Sequence, residues 1–320
     1  MCGRGGARRG ARAAVTRSRA LPGELTGVML PDWARRALRG RTKAAVREAV
    51  CAAVDAGDWI AGRRRPLVPP ARLRVRVGCF LSYIRLSHYD AVADEFVHHL
   101  RALARLRSDS RVLDIGCGCG QMAVPLTRMV APAGCYDGFD PDPEAIAWCT
   151  RHITARFPRF RFMHADLGNS LYNPTGTLDA AAFHFPYPDE AFDLILLKSV
   201  FTHLQLPALR NYFNEIRRML EPGGRVLASF ILLNDVSERH AAGNTRAMAF
   251  PFDGHGCRLL DRAVPEYKVA YDERVLREVA AECGLTIEAI EYGAWSGRPD
   301  FLSFQDLVLF SRPGSGHDGA

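Results

Sequence analysis

Residues 111–121 read Arg-Val-Leu-Asp-Ile-Gly-Cys-Gly-Cys-Gly-Gln, and this stretch decides the fold of the chain. Its apolar first half is typical of a strand that is buried on both faces of a parallel sheet. The glycines then end the strand, because a residue without a Cβ atom allows φ > 0 and a close approach of the backbone to a ligand. Apolar residues recur at helical spacing over 121–129. A strand, a glycine turn and a helix in this order predict an α/β fold with a nucleotide cradle.

The spacing of the glycines separates two kinds of nucleotide site. The dinucleotide fingerprint G-x-G-x-x-G requires its third glycine where this chain has Gln121, which disfavours a bound pyrophosphate and a nicotinamide dehydrogenase. The pattern Asp114-x-Gly116-x-Gly118-x-Gly120 resembles instead the first motif of the class I S-adenosylmethionine-dependent methyltransferases. A glycine-rich turn without a ligand is the alternative, so the segments that follow decide between the two.

The resemblance implies both a fold and a cofactor. The fold is a doubly wound, seven-stranded, mostly parallel α/β sheet, to which this chain adds an N-terminal helical extension and a lid insertion. The cofactor is S-adenosyl-L-methionine. The resemblance assigns five residues of the first motif to cofactor binding: Asp114, Gly116, Cys117, Gly118 and Gly120.

A second predicted strand, Cys135 to Asp140, ends in a carboxylate. Asp140 lies 24 residues beyond Gly116, close to the spacing of ~20 at which an acid accepts hydrogen bonds from ribose hydroxyls in related sheets. An ionised carboxylate can accept from two neighbouring hydroxyls at once, and such charge-assisted bonds are strong. Asp140 is therefore the predicted ribose ligand.

The third predicted strand, Arg159 to His164, leads to Asp166 and Leu167. The resemblance implies that Asp166 meets the amino group of the adenine, with Leu167 donating its backbone N–H. The alternative for Asp166 is a helix cap.

The fourth predicted strand, Phe192 to Leu197, ends at Lys198, which we count among the cofactor-binding residues. The turn that follows is expected to face the transferred methyl group. It lacks the Asn-Pro-Pro-aromatic motif, the paired glutamates and the nucleophilic cysteine of other methyltransferase classes. His203 is the candidate general base, because an unperturbed imidazole titrates near neutral pH. The alternative is that His203 packs or holds the turn.

The turn Leu220-Glu221-Pro222-Gly223-Gly224 precedes a fifth predicted strand, Arg225 to Leu233, and also resembles the family. Two later strands, 285–291 and 304–310, are expected to complete the sheet, the last of them antiparallel. Catechol-type members of the family hold a divalent metal with acids after the fourth and fifth strands, where this chain has Lys198 and, as the only remnant, Asn234-Asp235. We therefore predict no metal.

The remaining segments suggest how the chain is organised. We predict a disordered basic tail over 1–30, a helical extension and linker over 31–70, the catalytic domain over 71–312 and a tail over 313–320. A long aromatic loop over 168–190 and a lid over 234–270 favour an enclosed small organic acceptor, such as a hydroxyl of a natural product or sugar. The aromatic residues ahead of the first motif either cover the cofactor or pack in the core: Phe80, Tyr83 and Tyr89.

Composition limits the other possibilities. The net charge of +7 is uneven, with +13 over 1–110 and −6 over 111–320. An RNA or protein acceptor bound through the basic front is thus the alternative to a small acceptor, and a non-catalytic cofactor-binding domain is the third possibility. Nine cysteines without paired C-x-x-C spacing suit reduced thiols. The chain has no apolar run of membrane-spanning length, so we expect a soluble cytoplasmic protein.

Overall fold

The computed structural model describes residues 18–19, 41–62, 66–77, 86–130, 133–244, 247–254 and 256–314. Most of the predicted basic tail, the Arg63 to Arg65 linker and the aromatic residues Phe80 and Tyr83 lie outside these ranges. Ser18–Arg19 pair antiparallel with Asp300–Phe301. No helix in the described ranges is long and apolar enough to cross a membrane.

The centre of the fold is one seven-stranded sheet. Its strands are β1 (Arg111–Ile115), β2 (Cys135–Asp140), β3 (Phe160–His164), β4 (Phe192–Leu197), β5 (Leu220–Phe230), β6 (Thr286–Glu291) and β7 (Asp306–Ser311). Their spatial order is β6-β7-β5-β4-β1-β2-β3, and β7 alone runs in the opposite direction to the other six strands. This order confirms the predicted doubly wound, mostly parallel sheet, including its antiparallel last strand.

Helices cover both faces of the sheet. They are α1 (Arg41–Ile60), α2 (Leu86–Ala102), α3 (Pro143–Cys149), α4 (Leu206–Met219), α5 (Asp235–Ala241) and α6 (Glu273–Glu282). On one face α4 and α6 pack against Leu113 and Ile195, and on the other α2 and α3 pack against Val112 and Leu194. Because side chains alternate along a strand, one apolar run supplies both cores.

The helix after the glycine turn is shorter than predicted. Its bounds are Ala123–Leu126, whereas the apolar spacing indicated a helix over 121–129. Pro125 explains the difference, because a proline has no N–H to donate to the carbonyl of Gln121. The chain on either side forms turns, so the glycine segment is followed by one helical turn only.

A second, four-stranded sheet lies beyond β5, within the predicted lid. Its strands follow the order Leu232–Leu233, Val269–Asp272, Arg258–Leu259 and Phe252–Asp253. Asp306, at the start of β7, fastens this sheet to the large one by accepting hydrogen bonds from Leu232 N at 2.7 Å, Gly293 N at 2.7 Å and Trp295 Nε1 at 2.8 Å. Trp295 is buried in this junction.

Candidate active site

The glycine turn adopts a backbone that other residues rarely allow. Gly116, Gly118 and Gly120 have φ values of 74°, 52° and 76°. Gly116 N and Cys117 N both donate to Phe139 O, at 2.9 and 3.1 Å. A Cβ atom on Gly118 would lie 2.7 Å from Val77 Cγ1. The turn is thus anchored to β2 from below and covered by the segment 71–77 from above.

Cys117 fills a gap in β2. A Cβ atom on Gly138 would meet Cys117 Cβ at 2.9 Å, so the thiol occupies the space of the missing side chain. Burial raises the pKa of Cys117 well above its ordinary value, which keeps it a neutral thiol. No cluster of potential metal ligands occurs among the residues that the structure describes.

Asp140 is locked in place by the backbone on both sides. Its two carboxylate oxygens accept from Gly118 N at 2.8 Å and from Asp142 N at 2.9 Å. Burial raises the pKa of Asp140 to about 6, although these hydrogen bonds favour the carboxylate. Each oxygen has a second lone pair for an incoming hydroxyl. Asp140 can therefore act as the predicted ribose ligand without rearranging.

Asp114 is buried beneath the glycine turn and accepts a hydrogen bond from the Tyr136 hydroxyl at 2.5 Å. Burial raises its pKa to about 8, while the bond to Tyr136 and the charge of Lys198 favour ionisation. The bond links the carboxyl end of β1 to Tyr136, near the start of β2. Its predicted contact with the cofactor stays a prediction.

Asp166 organises the loop that follows β3. Its carboxylate accepts from Asn173 Nδ2 at 3.0 Å and from Thr177 Oγ1 at 2.7 Å. No helix begins at Asp166, so the alternative of a helix cap is wrong. Leu167 N donates to Ala165 O at 2.6 Å, and an adenine would have to share or displace that bond. The adenine contacts of Asp166 and Leu167 stay predictions.

His203 lies in a short 3-10 helix, Phe201–His203, after β4. Its Nδ1 is 2.7 Å from Glu266 O, and because a carbonyl can only accept, Nδ1 carries the proton. Its Nε2 is 3.5 Å from Lys268 Nζ. Burial and the charge of Lys268 lower the pKa of His203 to about 3. This geometry suits the alternative of holding the turn better than taking a proton, and the role of base stays a prediction.

Lys268 is the site residue that sequence reasoning missed. It lies in the lid, 65 residues beyond His203, in a stretch without periodicity. Burial, followed by the charge of Lys198, lowers the pKa of Lys268 to about 8. In the described part of the chain neither lysine forms an ion pair with a carboxylate. The charge of Lys198 thus reaches Lys268 near the carboxyl edge of the sheet.

Glu266 joins the lid to the loop after β3. Its carboxylate accepts from Ser170 N at 2.8 Å and from Ser170 Oγ at 2.5 Å, and its carbonyl holds His203. Tyr172, on the same loop, meets the His203 ring edge-to-face at a centroid distance of 5.9 Å. Burial and the nearby Asp140 raise the pKa of Tyr172 to about 12. Tyr172 thus lies between the predicted ribose ligand and the histidine.

Ion pairs fix the segment 71–77 at the edge of the site. Arg76 donates to Asp142 Oδ2 at 2.6 Å and to Glu144 Oε2 at 2.7 Å. Asp142 also caps α3 by accepting from Glu144 N at 3.0 Å. Tyr89, one of the aromatic residues ahead of the first motif, is buried, and its hydroxyl is 3.5 Å from Cys119 Sγ. It packs in the core behind the glycine turn.

The same architecture occurs in known proteins. Residues 112–224 match a family described as a methyltransferase domain, from β1 to the Pro222-Gly223-Gly224 turn. The crystal structure of the PH0226 protein from Pyrococcus horikoshii OT3 superposes with a TM-score of 0.51 at 16% identity, covering 74% of this chain and 97% of that one. Residues 112–224, about a third of the chain, therefore match a methyltransferase domain, and the strand order is that of the class I S-adenosylmethionine-dependent methyltransferases.

Similar proteins of known name share part of the chain. The probable phthiotriol/phenolphthiotriol dimycocerosates methyltransferase 2 of Mycobacterium ulcerans is 31% identical over 129 residues, which are 40% of this chain and 42% of that protein. The demethylmenaquinone methyltransferase of Lactobacillus johnsonii is 25% identical over 122 residues, 38% of this chain and 44% of that protein. The chain thus matches less than half the length of these relatives.

Proposed function

We propose that this protein is a methyltransferase that uses S-adenosyl-L-methionine to methylate a small organic acceptor. The observation that carries the proposal is the pairing of Asp140 with Gly118. It places a carboxylate with available lone pairs beside a turn whose glycines leave the backbone open to a ligand. The family match over 112–224 and the names of the relatives support the same activity.

The residues of the cradle fit the nucleoside part of that cofactor. The carboxylate of Asp140 would accept from the ribose hydroxyls, and the backbone of 116–120 would line the rest. When bound, the cofactor supplies a methyl group on a sulfonium, which is transferred by in-line displacement. The protein mainly has to align the acceptor and exclude water, and alignment can lower such a barrier by roughly 7–11 kcal/mol.

The contact between the loop after β3 and the lid, next to His203, favours a small acceptor. The loop after β3 and the lid meet through Ser170 and Glu266, and Tyr172 and His203 lie beneath that contact. Closure of this kind excludes water from the reacting atoms. The names of the two relatives, which refer to a lipid and to a quinone precursor, support an acceptor of small organic class.

A macromolecular acceptor is less favoured by the arrangement of charge. Arg72, Arg74 and Arg76, which contribute to the basic front, each pair with an acid, so they do not form an open patch for phosphates. Deletion of residues 1–40, which keeps the Asp55 and Asp58 partners of Arg74, separates the two possibilities. It should spare activity on a small acceptor and abolish activity on RNA or protein.

The activity can be tested in two stages. Calorimetry with S-adenosylhomocysteine should give saturable binding to the full chain. Incubation with methyl-labelled S-adenosylmethionine and cell extract should then place the label in the small-molecule fraction. Binding without label transfer would indicate the third possibility, a non-catalytic cofactor-binding domain. No binding by well-folded protein would refute the proposal.

A further inference from the structure

Lys268 and Lys198 bring two positive charges to the acceptor side of the site. Both are half-buried near the carboxyl edge of the sheet, and the charge of Lys198 lowers the pKa of Lys268. In the described ranges no carboxylate pairs with either lysine. The acid that senses Lys198, Asp114, already binds the Tyr136 hydroxyl. A buried ammonium group without a counter-charge is unfavourable unless a ligand supplies one.

His203 determines where the Lys268 ammonium points. The carbonyl of Glu266, in the lid, accepts a hydrogen bond from Nδ1–H. The Nε2 lone pair is therefore directed at Lys268 Nζ, 3.5 Å away. A neutral imidazole thus accepts from the ammonium and contributes no charge of its own. The ammonium has three N–H donors, so two remain for a ligand oxygen.

We propose that Lys268, positioned by His203 and assisted by Lys198, binds an acceptor oxygen that is already ionised, either a carboxylate or a phenolate. The inference rests on the proposed methyltransferase function and specifies its acceptor. A lone pair of the oxyanion forms the new O–CH3 bond, and the electron pair of the S–CH3 bond returns to sulfur. The negative and positive charges cancel, and no proton leaves. A general base is therefore not required, which agrees with a histidine that is occupied on both nitrogens.

The product identifies the acceptor atom. The full chain is incubated with S-adenosylmethionine carrying a 13C methyl group and a small-molecule extract of the cells that encode it, and the labelled product is examined by carbon NMR. An ester methyl, released as methanol in alkali, indicates a carboxylate acceptor, and an alkali-stable aryl ether indicates a phenolate. A methyl on nitrogen, sulfur, carbon or an aliphatic hydroxyl overturns the inference and leaves methyl transfer intact. No labelled product, with S-adenosylhomocysteine still bound, refutes both.

Substitution of Lys268 separates acceptor binding from cofactor binding. We expect Lys268→Met to lower kcat/KM about 10–100-fold, the effect of losing a charge-assisted hydrogen bond, with an unchanged affinity for S-adenosylhomocysteine. The control is Arg262→Met, which removes an exposed cation from the same lid and should leave kcat/KM unchanged. If Lys268→Met instead weakens S-adenosylhomocysteine binding to the same degree as turnover, the lysine serves the cofactor and the inference fails.

The pH profile tests the positioning role of His203. The charged group near Lys268 is Lys198, which follows β4. The titratable neutral groups are His203 on the next turn and Tyr172, which contacts the His203 ring. With a carboxylate acceptor, whose charge does not change in this range, binding should weaken as the pH rises through about 8, because the Lys268 ammonium loses its charge, and Lys268→Met should lack this fall. His203→Phe should lower kcat/KM less than Lys268→Met does and keep the fall. Loss of all activity in His203→Phe, with rescue at high pH, would identify a base and overturn the inference.

Discussion

Replacement of Asp140 by asparagine tests the cradle directly, because the change removes a charge and retains the shape. Both oxygens of Asp140 accept backbone N–H bonds, and an amide can accept only one of them. The second N–H then faces an NH2 group, which costs about 1–3 kcal/mol for an unsatisfied buried donor. Removal of the buried charge offsets part of this cost, since burial already disfavours the carboxylate. We expect a loss of unfolding free energy of about 1–2 kcal/mol.

The effect on cofactor binding should be larger than the effect on folding. Charge-assisted hydrogen bonds contribute about 1.5–3 kcal/mol, which corresponds to roughly 10–150-fold in Kd. Calorimetry with S-adenosylhomocysteine measures it, with chemical denaturation to follow stability. Asp137→Asn is the matched control on the same strand, because its partner Arg161 is exposed and such pairs contribute about 0–1 kcal/mol.

The pH dependence of binding provides the sharper criterion. The pKa of Asp140 is raised to about 6, so wild-type affinity should fall as the pH drops through this value and the carboxylate is protonated. Asp140→Asn should show no such fall. A folded Asp140→Asn protein that binds S-adenosylhomocysteine as tightly as the wild type at pH 7.5 would refute the assignment of Asp140 to the ribose.

Three further predictions concern stability. Gly118→Ala should lower the free energy of unfolding by more than about 1–2 kcal/mol, which is the cost of a left-handed alanine alone, because the new Cβ would also lie 2.7 Å from Val77 Cγ1. The control is Gly223→Ala. Gly223 has φ of 82° and open space around it, so this variant should show the backbone cost alone. Asp306→Ala should lower it by roughly 3 kcal/mol or more in urea titrations, because three buried donors lose their acceptor. Burial raises the pKa of Asp114 to about 8 and of Asp306 to about 6, so the folded state binds protons more tightly than the unfolded state. The melting temperature should therefore fall between pH 4 and pH 8, and less steeply in Asp114→Asn.

Local patterns were sufficient to predict that the glycine turn and Asp140 lie side by side. The glycine turn follows β1 directly, and Asp140 ends the neighbouring strand, so the order of the sheet alone brings them to one edge. The helix predicted after the turn is too long, because the apolar spacing continues to residue 129 whereas the regular helix is Ala123–Leu126, around Pro125. Propensity identifies an element better than it identifies the ends of that element.

The acceptor side could not be predicted in this way. His203 and Lys268 meet only because the small sheet pairs Val269–Asp272 with Leu232–Leu233, just beyond β5, and nothing in the sequence near either residue indicates the other. The imidazole by itself looked like a base, whereas its environment makes it a neutral partner for an ammonium group. Nothing in the sequence near Asp166 likewise indicates that it holds the loop after β3 through Asn173 and Thr177.

The two contacts of Glu266 bear on the rate of product release. The Glu266 carboxylate binds Ser170 in the loop after β3, and its carbonyl binds His203 in the turn after β4. Neither segment can therefore move away while Glu266 stays in place. We expect that loss of the Glu266 contacts frees both segments together. Release of the methylated product and release of S-adenosylhomocysteine should then occur at the same rate. Ser170→Ala removes the bond from the Ser170 hydroxyl to Glu266. It should increase the rates at which product and S-adenosylhomocysteine are released, as measured by stopped-flow.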